Sequence, residues 1–194
     1  MSVLNDASIR GLGEDGFIDP FDPKRVQPAS IDLTLGHKFK LWDQPQVFTK
    51  NPDLRRAIDL DHVEATTYGL MTEFDLDDGQ SFILDPQAFC LASTRETIRV
   101  LEYHVARVEG KSSLGRLGLV VHATAGFCDP GFCGTITLEL FNMNPNPLII
   151  RPGRAICQLS FMKMNAPAEI PYGHESLGSK YQNQKTTTES RYVG

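Results

Sequence analysis

The sequence of 194 residues predicts a mainly β protein, a barrel or a sandwich with one or two short helices. Its 16 glycines and 12 prolines are spread along the chain and divide it into short segments, as many-stranded β proteins require. Three of these segments alternate apolar and polar residues with the two-residue period of a strand. Hydrophobic residues make up 41% of the chain, which is enough for a packed core, and the length favours one domain.

Each predicted element comes from a local pattern. Residues 4–12 form an amphipathic patch that predicts a short helix, with Asn5 or Asp6 as its cap. The stretches SIDLTLG, GTITLELFN and AICQLSFM place apolar residues at every second position and predict three strands. The residues that share one face are Ile31, Leu33 and Leu35 in the first strand, Ile136, Leu138 and Leu140 in the second, and Ala155, Cys157, Leu159 and Phe161 in the third.

Two stretches lack this alternation. Residues 43–80 are charged and irregular, and we expect them to form a long excursion on the surface. Residues 173–194 are rich in Gly, Ser and Thr and contain almost nothing to bury. Such a composition predicts a tail, or a lid that becomes ordered on a ligand.

The charge balance excludes some classes of partner. Lys and Arg number 19 and Asp and Glu number 24, so the net charge is −5. A chain with this balance does not present a broad basic surface to nucleic acid or anionic lipid. Apolar runs stay well short of the roughly 18 residues that a membrane span requires, and residues 1–10 lack the order of a signal peptide. We expect a cytoplasmic protein with no nucleic acid or membrane partner.

The four cysteines raise the question of a metal. They are too few and too scattered to suggest a disulfide scaffold, although Cys128 and Cys133 flank a turn. Zinc deaminases pair an H-x-E motif with a P-C-x-x-C motif, and that pair does not occur here. We predict small buried thiols and no metal held by protein ligands.

Residues 110–142 carry the groups that suggest chemistry. GKSSLGR, from Gly110 to Arg116, gathers glycines, hydroxyls and two cations, which are the groups that bind phosphate oxygens. A solvated turn with two incidental bases explains the same residues, and the order of a Walker A loop is absent. Glu139 lies in the middle of a predicted strand, either on a solvated face or in a pocket. Asp129 precedes that strand, where an ordinary turn former is the alternative.

Five blocks of the sequence together resemble the dCTP deaminase family, which shares a trimeric β fold with the dUTPases. They occur in order, with matching spacing, over most of the chain. The blocks are ASIDLTLG (29–36), GKSSLGRLGL (110–119), HATAGFCDPGFCGTITLELFN (122–142), PLIIRPGRAICQLSF (147–161) and PYGHESLGSKYQNQ (171–184). The resemblance implies a distorted β-barrel or jelly-roll of the dUTPase-like type, assembled as a homotrimer. Residues 1–171 would form the β domain and residues 172–194 its C-terminal lid.

The resemblance also implies which residues act on the substrate. Glu139 matches the general base, which takes a proton from the water that attacks C4 of the cytosine of dCTP and passes protons to the departing ammonia. Ser112, Arg116 and the backbone at Ala125 match the groups that support this water and the intermediate. Asp129 matches the residue that binds the 3′-hydroxyl. The other matching substrate contacts are Phe132 at the sugar, Lys111, Ser113, Gln158, Tyr172, Lys180 and Gln184 at the triphosphate, and Thr137 and Leu138 in the strand of Glu139.

The cofactor implied by the resemblance is Mg²⁺, held through the phosphates and water, with no zinc. Some members of the family release dUTP, whereas others also hydrolyse it to dUMP and pyrophosphate. HATAGFCDPG, with Gly126 and Phe127, is more similar to the dUMP-forming members, and there Asp129 also serves the hydrolysis. Gly126 leaves room for a second water. His122 matches a position near the water site, or is a core histidine bonded to a carbonyl.

We therefore predict a bifunctional enzyme, with a deaminase that releases dUTP as the alternative. A plain dUTPase fits less well, because those proteins carry an apolar residue where Glu139 stands and a Gly-rich final motif that this tail lacks. A regulator that binds nucleotide without catalysis fits less well too, since a competent side chain occupies every proposed catalytic position.

Overall fold

Two six-stranded antiparallel sheets form the body of the protein, described by a computed structural model over residues 2–42, 58, 60–67 and 69–192. Three α-helices are present in these ranges, α1 (Asp6–Glu14), α2 (Val63–Thr67) and α3 (Ser112–Gly115), together with two 3-10 helices of three residues each, Pro23–Arg25 and Glu175–Leu177. The strands are β1 (Ser2–Val3), β2 (Ile18–Asp19), β3 (Val26–Gln27), β4 (Ser30–Thr34), β5 (Lys38–Trp42), β6 (Met71–Asp75), β7 (Phe82–Leu84), β8 (Phe89–Arg99), β9 (His104–Gly110), β10 (Leu119–Val120), β11 (Phe127–Cys128), β12 (Cys133–Asn142), β13 (Leu148–Ile150) and β14 (Ala155–Lys163).

The strand order defines the two sheets. The first sheet runs β11-β9-β14-β4-β3, with β1 also paired to β14. The second sheet runs β10-β12-β8-β5-β6, with β2 also paired to β8. β7 and β13 form a separate two-stranded ribbon. The predicted mainly β fold with a few short helices is confirmed.

The predicted alternation places the core as expected in β4, in β12 and in most of β14, but it is wrong at the start of β14, where a bulge between Ala155 and Cys157 buries Ile156 and leaves Ala155 half-buried. The shared faces of β4, β12 and β14 meet in one hydrophobic cluster, in which Leu33, Leu138 and Leu159 are fully buried. The predicted N-terminal helix is also confirmed, since the side chain of Asn5 accepts a hydrogen bond from the backbone of Ser8 at 3.1 Å and caps α1.

A buried carboxylate fastens the two sheets together. Glu96 of β8 is 4% exposed and accepts two hydrogen bonds from Thr34 of β4, at 2.8 Å from the backbone amide and 2.6 Å from the hydroxyl. Since β4 belongs to the first sheet and β8 to the second, these bonds cross the interior of the molecule. The polar groups of both residues are thereby satisfied away from water.

The predicted irregular excursion over residues 43–80 is wrong in its second half. Met71–Asp75 pairs with Lys38–Trp42 as β6, the edge strand of the second sheet. Its acidic residues face lysines on β5, with Lys38 bonded to Asp75 at 3.0 Å. A charged segment can therefore form a strand here, because its partner strand carries the opposite charges. Phe74 stacks on Phe39 with ring centroids 5.5 Å apart. Residues 43–57, 59 and 68 lie outside the described residues.

The C-terminal tail packs on the second sheet. The expectation that it has almost nothing to bury is wrong at Thr187, which is 3% exposed and donates its hydroxyl to the carbonyl of Lys38 at 2.7 Å. Gln184 forms a parallel bridge with Gly134 at the start of β12. Within the described ranges, no helix has the length and apolar character needed to cross a membrane.

Candidate active site

A cavity of about 870 Å³ lies between the second sheet, the segment that precedes β12, and the C-terminal tail. Strands β8 and β12 contribute Leu91, Thr137 and Glu139 to its lining. From the segment 123–132 come Ala125, Asp129 and Phe132, and the tail contributes Tyr172, Tyr181 and Gln184. Most of the lining is apolar, with a few polar groups that converge on it, which is the usual character of a small-molecule site.

Strand register determines which side chains share the face that lines the cavity. Glu139 of β12 is directly opposite Leu91 of β8, and Leu91 is directly opposite Lys40 of β5. Side chains of directly paired residues project from the same face of a sheet. Glu139, Leu91 and Lys40 therefore form one row across the second sheet.

The carboxylate of Glu139 is held at the cavity by the backbone of the neighbouring segment. Its Oε2 accepts a hydrogen bond from the amide of Ala123 at 2.7 Å. The amide of Glu139 in turn donates to the carbonyl of Val121 at 3.0 Å. The segment 121–123 is thus bonded both to the backbone and to the carboxylate of Glu139, which fixes the position of the carboxylate. In this partly buried site the carboxylate can accept a proton from a bound water.

The predicted sugar-binding residues lie together on the same cavity. Asp129 and Phe132 belong to a turn closed by a hydrogen bond from the amide of Phe132 to the carbonyl of Asp129, at 3.1 Å. The ring of Tyr172 contacts Phe132 edge-on, with centroids 5.8 Å apart. Gly131, at the tip of this turn, has φ +88°, and a Cβ there would lie 2.8 Å from the carbonyl oxygen of Tyr172. A glycine is thus required for the turn to pack against the start of the tail.

Gln184 is fixed between the tail and β12. Its side-chain amide donates to the carbonyl of Thr135 at 2.6 Å and approaches the hydroxyl of Thr137 at 3.3 Å. Its Oε1 atom is buried and has no hydrogen-bond partner among the described residues. A buried unpaired acceptor beside a cavity is a group that a ligand donor can satisfy.

The predicted phosphate residues are divided between two places: Tyr172 and Gln184 line this cavity, whereas Lys111 and Gln158 belong to a second cluster that does not line it. Lys111 bonds to Asp32 at 2.6 Å, and the side chain of Gln158 donates to the same carboxylate at 3.1 Å. Asp32 and Lys111 are largely buried, with side chains 13% and 21% exposed. Strands β4 and β14 bring them together, because Gln158 is directly opposite Asp32.

The remaining predicted residues lie near this cluster in sequence or elsewhere on the tail. Ser112, Ser113 and Arg116 are exposed on or just after α3, whose preceding residue is Lys111. The ammonium of Lys180 lies 5.2 Å from the ring centroid of Tyr192. A single chain therefore brings Tyr172 and Gln184 together with the base and sugar residues but leaves Lys111 and Gln158 apart from them.

The structure restricts the expectation about Leu138 and contradicts the one about Gly126. The side chain of Leu138 is fully buried in the core, so any ligand contact there must come from its peptide group. The room expected at Gly126 is not present, since a Cβ would lie 2.9 Å from the carbonyl oxygen of Val108. The carbonyl of Gly126 also accepts a hydrogen bond from the amide of Val108 at 2.7 Å. This glycine allows close packing of two backbone segments.

The cysteines are free thiols in the described structure. Cys90, Cys128 and Cys157 are buried and Cys133 is partly buried, as predicted. Burial raises the pKa of Cys128 and of Cys90 to about 12, so both thiols are protonated at neutral pH. Among the described residues, no group of three His, Cys, Asp or Glu side chains is arranged to hold a metal ion.

Comparison with known proteins identifies the family. The sequence profile of the dCTP deaminase-like family matches residues 3–164. The chain belongs to this family. It is 44% identical to a protein of Dictyoglomus thermophilum named "dCTP deaminase, dUMP-forming", over 97% of this chain and 94% of that protein. It is 42% identical to a protein of Natronomonas pharaonis named "dCTP deaminase", over 99% of this chain and 95% of that protein.

A solved structure agrees with the sequence relatives. The crystal structure of 2′-deoxycytidine 5′-triphosphate deaminase from Agrobacterium tumefaciens is similar with a TM-score of 0.60 and 26% identity. The match covers 82% of this chain and 47% of that longer chain. The predicted membership of the dCTP deaminase family is confirmed by both kinds of comparison.

Sequence reasoning missed several residues that line the cavity of this dCTP deaminase-like protein. The missed residues include Trp42, Phe89, Leu91, Ala123, Tyr181 and Glu189. Leu91 lies in a run of four apolar residues, Phe89 to Ala92, which predicts a strand but does not tell which of its side chains faces the cavity. Trp42 and Glu189 have no sequence signal for a place in the cavity, because their positions depend on how β5 and the tail pack against each other.

Proposed function

We propose that this protein deaminates dCTP and hydrolyses the resulting dUTP to dUMP and pyrophosphate in the same site. The observation that carries the proposal is the carboxylate of Glu139, held by the Ala123 amide at a cavity that also contains Asp129 and Phe132. A fixed carboxylate beside a pocket for a base and a sugar is what a metal-independent deamination needs. The names of relatives at 40–44% identity agree with this reaction.

In this proposal Glu139 moves the protons of the first step. It takes a proton from a water molecule, whose oxygen then bonds to C4 of cytosine to give a tetrahedral intermediate. The same carboxylate passes protons to the amino nitrogen, the C4–N bond breaks, and ammonia leaves. The backbone at Ala125 supports the water, and Ser112 and Arg116 stabilise the intermediate.

Different residues are proposed to bind the sugar and the phosphates of the substrate. Asp129 accepts a hydrogen bond from the 3′-hydroxyl and selects the deoxyribose, with Phe132 beside the ring. Gln184 and Tyr172 close the cavity from the tail side, and the Oε1 atom of Gln184 has no hydrogen-bond partner in the part of the chain that the structure describes. The proposed triphosphate contacts are Lys111, Ser113, Gln158, Tyr172, Lys180 and Gln184.

Assembly would complete the site. The phosphate residues Lys111 and Gln158 do not line the cavity of their own chain, so we propose that a neighbouring copy in a homotrimer supplies them. A closed ring of three copies lets each chain give one half of a site and receive the other. Ser112 and Arg116, exposed at α3, would enter the site in the same way.

Mg²⁺ would arrive bound to the triphosphate. This ion prefers phosphate oxygens and retains several of its waters. The carboxylate beside Lys111 and Gln158 is that of Asp32, and it is bonded to both of them. These residues fit a triphosphate that binds together with its Mg²⁺ ion, and this ion would neutralise charge on the phosphates.

One reaction tests the proposal. The protein is incubated with dCTP and Mg²⁺, and the products are resolved by chromatography. We expect ammonia and dUMP with little dUTP. Accumulation of dUTP would instead establish a deaminase alone, the activity named for the Natronomonas relative. Absence of ammonia would refute the proposal.

Replacement of the proposed base tests the mechanism. Glu139→Gln should abolish ammonia release because the amide cannot accept the proton of water, while dCTP binding stays within about tenfold, or roughly 1.4 kcal/mol. Glu102→Gln makes the same chemical change at an exposed position outside the cavity and serves as the control. Normal deamination by Glu139→Gln would contradict the role of this carboxylate.

A further inference from the structure

Lys40 is a charged group in the row of Glu139 that the proposed reaction does not use. Its ammonium is bonded to Glu73 at 2.9 Å and to Glu189 at 2.8 Å, and its side chain is only 17% exposed. Glu73 is the direct neighbour of Lys40 on β6. Glu189, by contrast, is 149 residues away in sequence and belongs to the tail.

The tail crosses the second sheet between two points of attachment. At the first, Gln184 bonds to Thr135 on β12. At the second, Thr187 donates to the carbonyl of Lys38 on β5. The strand between β12 and β5 is β8, so the segment from Gln184 to Thr187 connects two strands that are not neighbours in the sheet.

The tail reaches the level of Glu139 immediately after this crossing. Lys38 is two residues before Lys40 on β5, and Lys40 shares the row of Glu139 and Leu91. The bond from Lys40 to Glu189 therefore brings residues 188–190 to that row. Thr188, Glu189 and Ser190 all line the cavity that contains Glu139.

We propose that Lys40 is a positioning residue of the active site: its ammonium holds the carboxylate of Glu189 and so fixes residues 188–190 as a wall of the cavity. The inference rests on the proposed function, since it assigns the wall to the cavity where dCTP would react. Glu73 holds the ammonium on its other side and keeps it directed along the sheet.

The electrostatics of the cluster agree with this role. Burial lowers the pKa of Lys40, but the carboxylates of Glu189 and Glu73 outweigh burial and raise that pKa above its ordinary value. The ammonium is therefore charged at neutral pH. A partly buried cation between two carboxylates is a stronger attachment than an exposed ion pair.

The sole tryptophan of the chain provides a reporter that is independent of catalysis. Trp42 lies two residues after Lys40 and lines the same cavity as residues 188–190. Its indole Nε1 is buried. Release of the wall would expose this ring to water and to a quencher such as acrylamide.

The experiment compares full-length variants by acrylamide quenching of Trp42 and by hydrogen exchange of the amides of residues 187–190. Lys40→Met should make this exchange about fivefold faster, as expected for loss of one partly exposed charged hydrogen bond, and should increase quenching. Lys38→Met is the matched control, because the ion pair of Lys38 is with Asp75 on β6, and its hydrogen bond with the tail is accepted by its backbone carbonyl, which the substitution leaves in place. Lys40→Arg should restore the wild-type behaviour.

A second variant makes the test specific. Glu189→Gln should loosen the wall as Lys40→Met does, and the double variant should be no looser than either single one, because both remove the same bond. With dCTP, loss of the bond should raise KM several-fold and change kcat less. Unchanged exchange and quenching in both single variants, or equal loosening by Lys38→Met, would overturn the proposal.

The two proposals fail in different ways. A wild-type protein that does not deaminate dCTP would refute the proposed function, while exchange and quenching would still decide whether Lys40 holds the tail. Loosening of the wall with no change in KM would show an attachment that does not position the active site, and would overturn the inference.

Discussion

Replacement of Glu96 tests whether the two sheets depend on one buried carboxylate. Glu96→Leu removes the acceptor of both hydrogen bonds from Thr34, which is itself 2% exposed. A buried donor left without a partner costs about 1–3 kcal/mol. Two donors are affected, but the variant also avoids the cost of burying a charge. We therefore expect a loss of about 3 kcal/mol in the free energy of unfolding.

Glu96→Gln is the matched control for this variant. Its amide oxygen can still accept from the backbone of Thr34, and its NH₂ group can donate to the Thr34 hydroxyl, which turns to accept. The expected loss is about 1 kcal/mol or less. For a chain of this length, 1 kcal/mol corresponds to about 2–4 °C in Tm, so Glu96→Leu should melt about 6–12 °C lower than the wild type.

Thermal unfolding at one protein concentration measures the difference. A Leu variant as stable as the wild type would refute the reasoning, and so would a Gln variant as unstable as the Leu variant. In the first case the bonds to Thr34 would contribute nothing net. In the second case the charge, and not the hydrogen-bond pattern, would be what stabilises the contact.

The pH dependence gives an independent check on Glu96. Burial raises the pKa of its carboxyl, and the hydrogen bonds from Thr34 offset this only in part. The folded protein therefore binds the proton more tightly than the unfolded chain, whose glutamate titrates near about 4.3. The contribution of the Glu96 carboxyl to the free energy of unfolding is fully present below the pKa of the unfolded glutamate. It is lost as the pH rises through the raised pKa of the folded protein. Glu96→Gln should remove this loss, so its stability relative to the wild type should increase with pH.

Three further predictions concern the site. Asp129→Asn should reduce the yield of dUMP from dCTP, measured by chromatography, because the carboxylate serves hydrolysis; an unchanged yield would remove that role. Truncation after Pro171 should raise KM for dCTP strongly, since it deletes the tail side of the cavity; an unaltered KM would argue against a lid. Gly126→Ala should lower both stability and activity, because its Cβ would lie 2.9 Å from the Val108 carbonyl oxygen; circular dichroism melts and assays matching the wild type would show that this contact relaxes freely.

Much of the core follows from the sequence. Alternation in β4, β12 and the part of β14 after its bulge predicts which residues are buried, because the period of a strand leaves each side chain one of two faces. The helix cap at Asn5 is predicted for a similar reason, since the signal lies within four residues of the helix start. Such features depend on local chemistry alone.

The arrangement of the site depends on pairing that local patterns do not encode. Glu139 was predicted from its motif, but its hydrogen bond to Ala123 depends on the path of a segment 16 residues away. β6 was missed because its alternating acidic residues are typical of a solvated loop. Their lysine partners lie 33 to 37 residues earlier on β5, beyond the reach of a local pattern. The burial of Thr187 likewise depends on a carbonyl 149 residues away.

The acidic strand β6 also affects how the molecule behaves in a crowded solution. An unpaired strand at the edge of a sheet can pair with the same edge of another molecule and begin aggregation. At one edge of the second sheet β10 is only two residues long, and at the other β6 carries exposed carboxylates at Glu73 and Asp75. Charged side chains on an edge strand disfavour such pairing, so the residues that form ion pairs with Lys38 and Lys40 also protect the protein from edge-to-edge association.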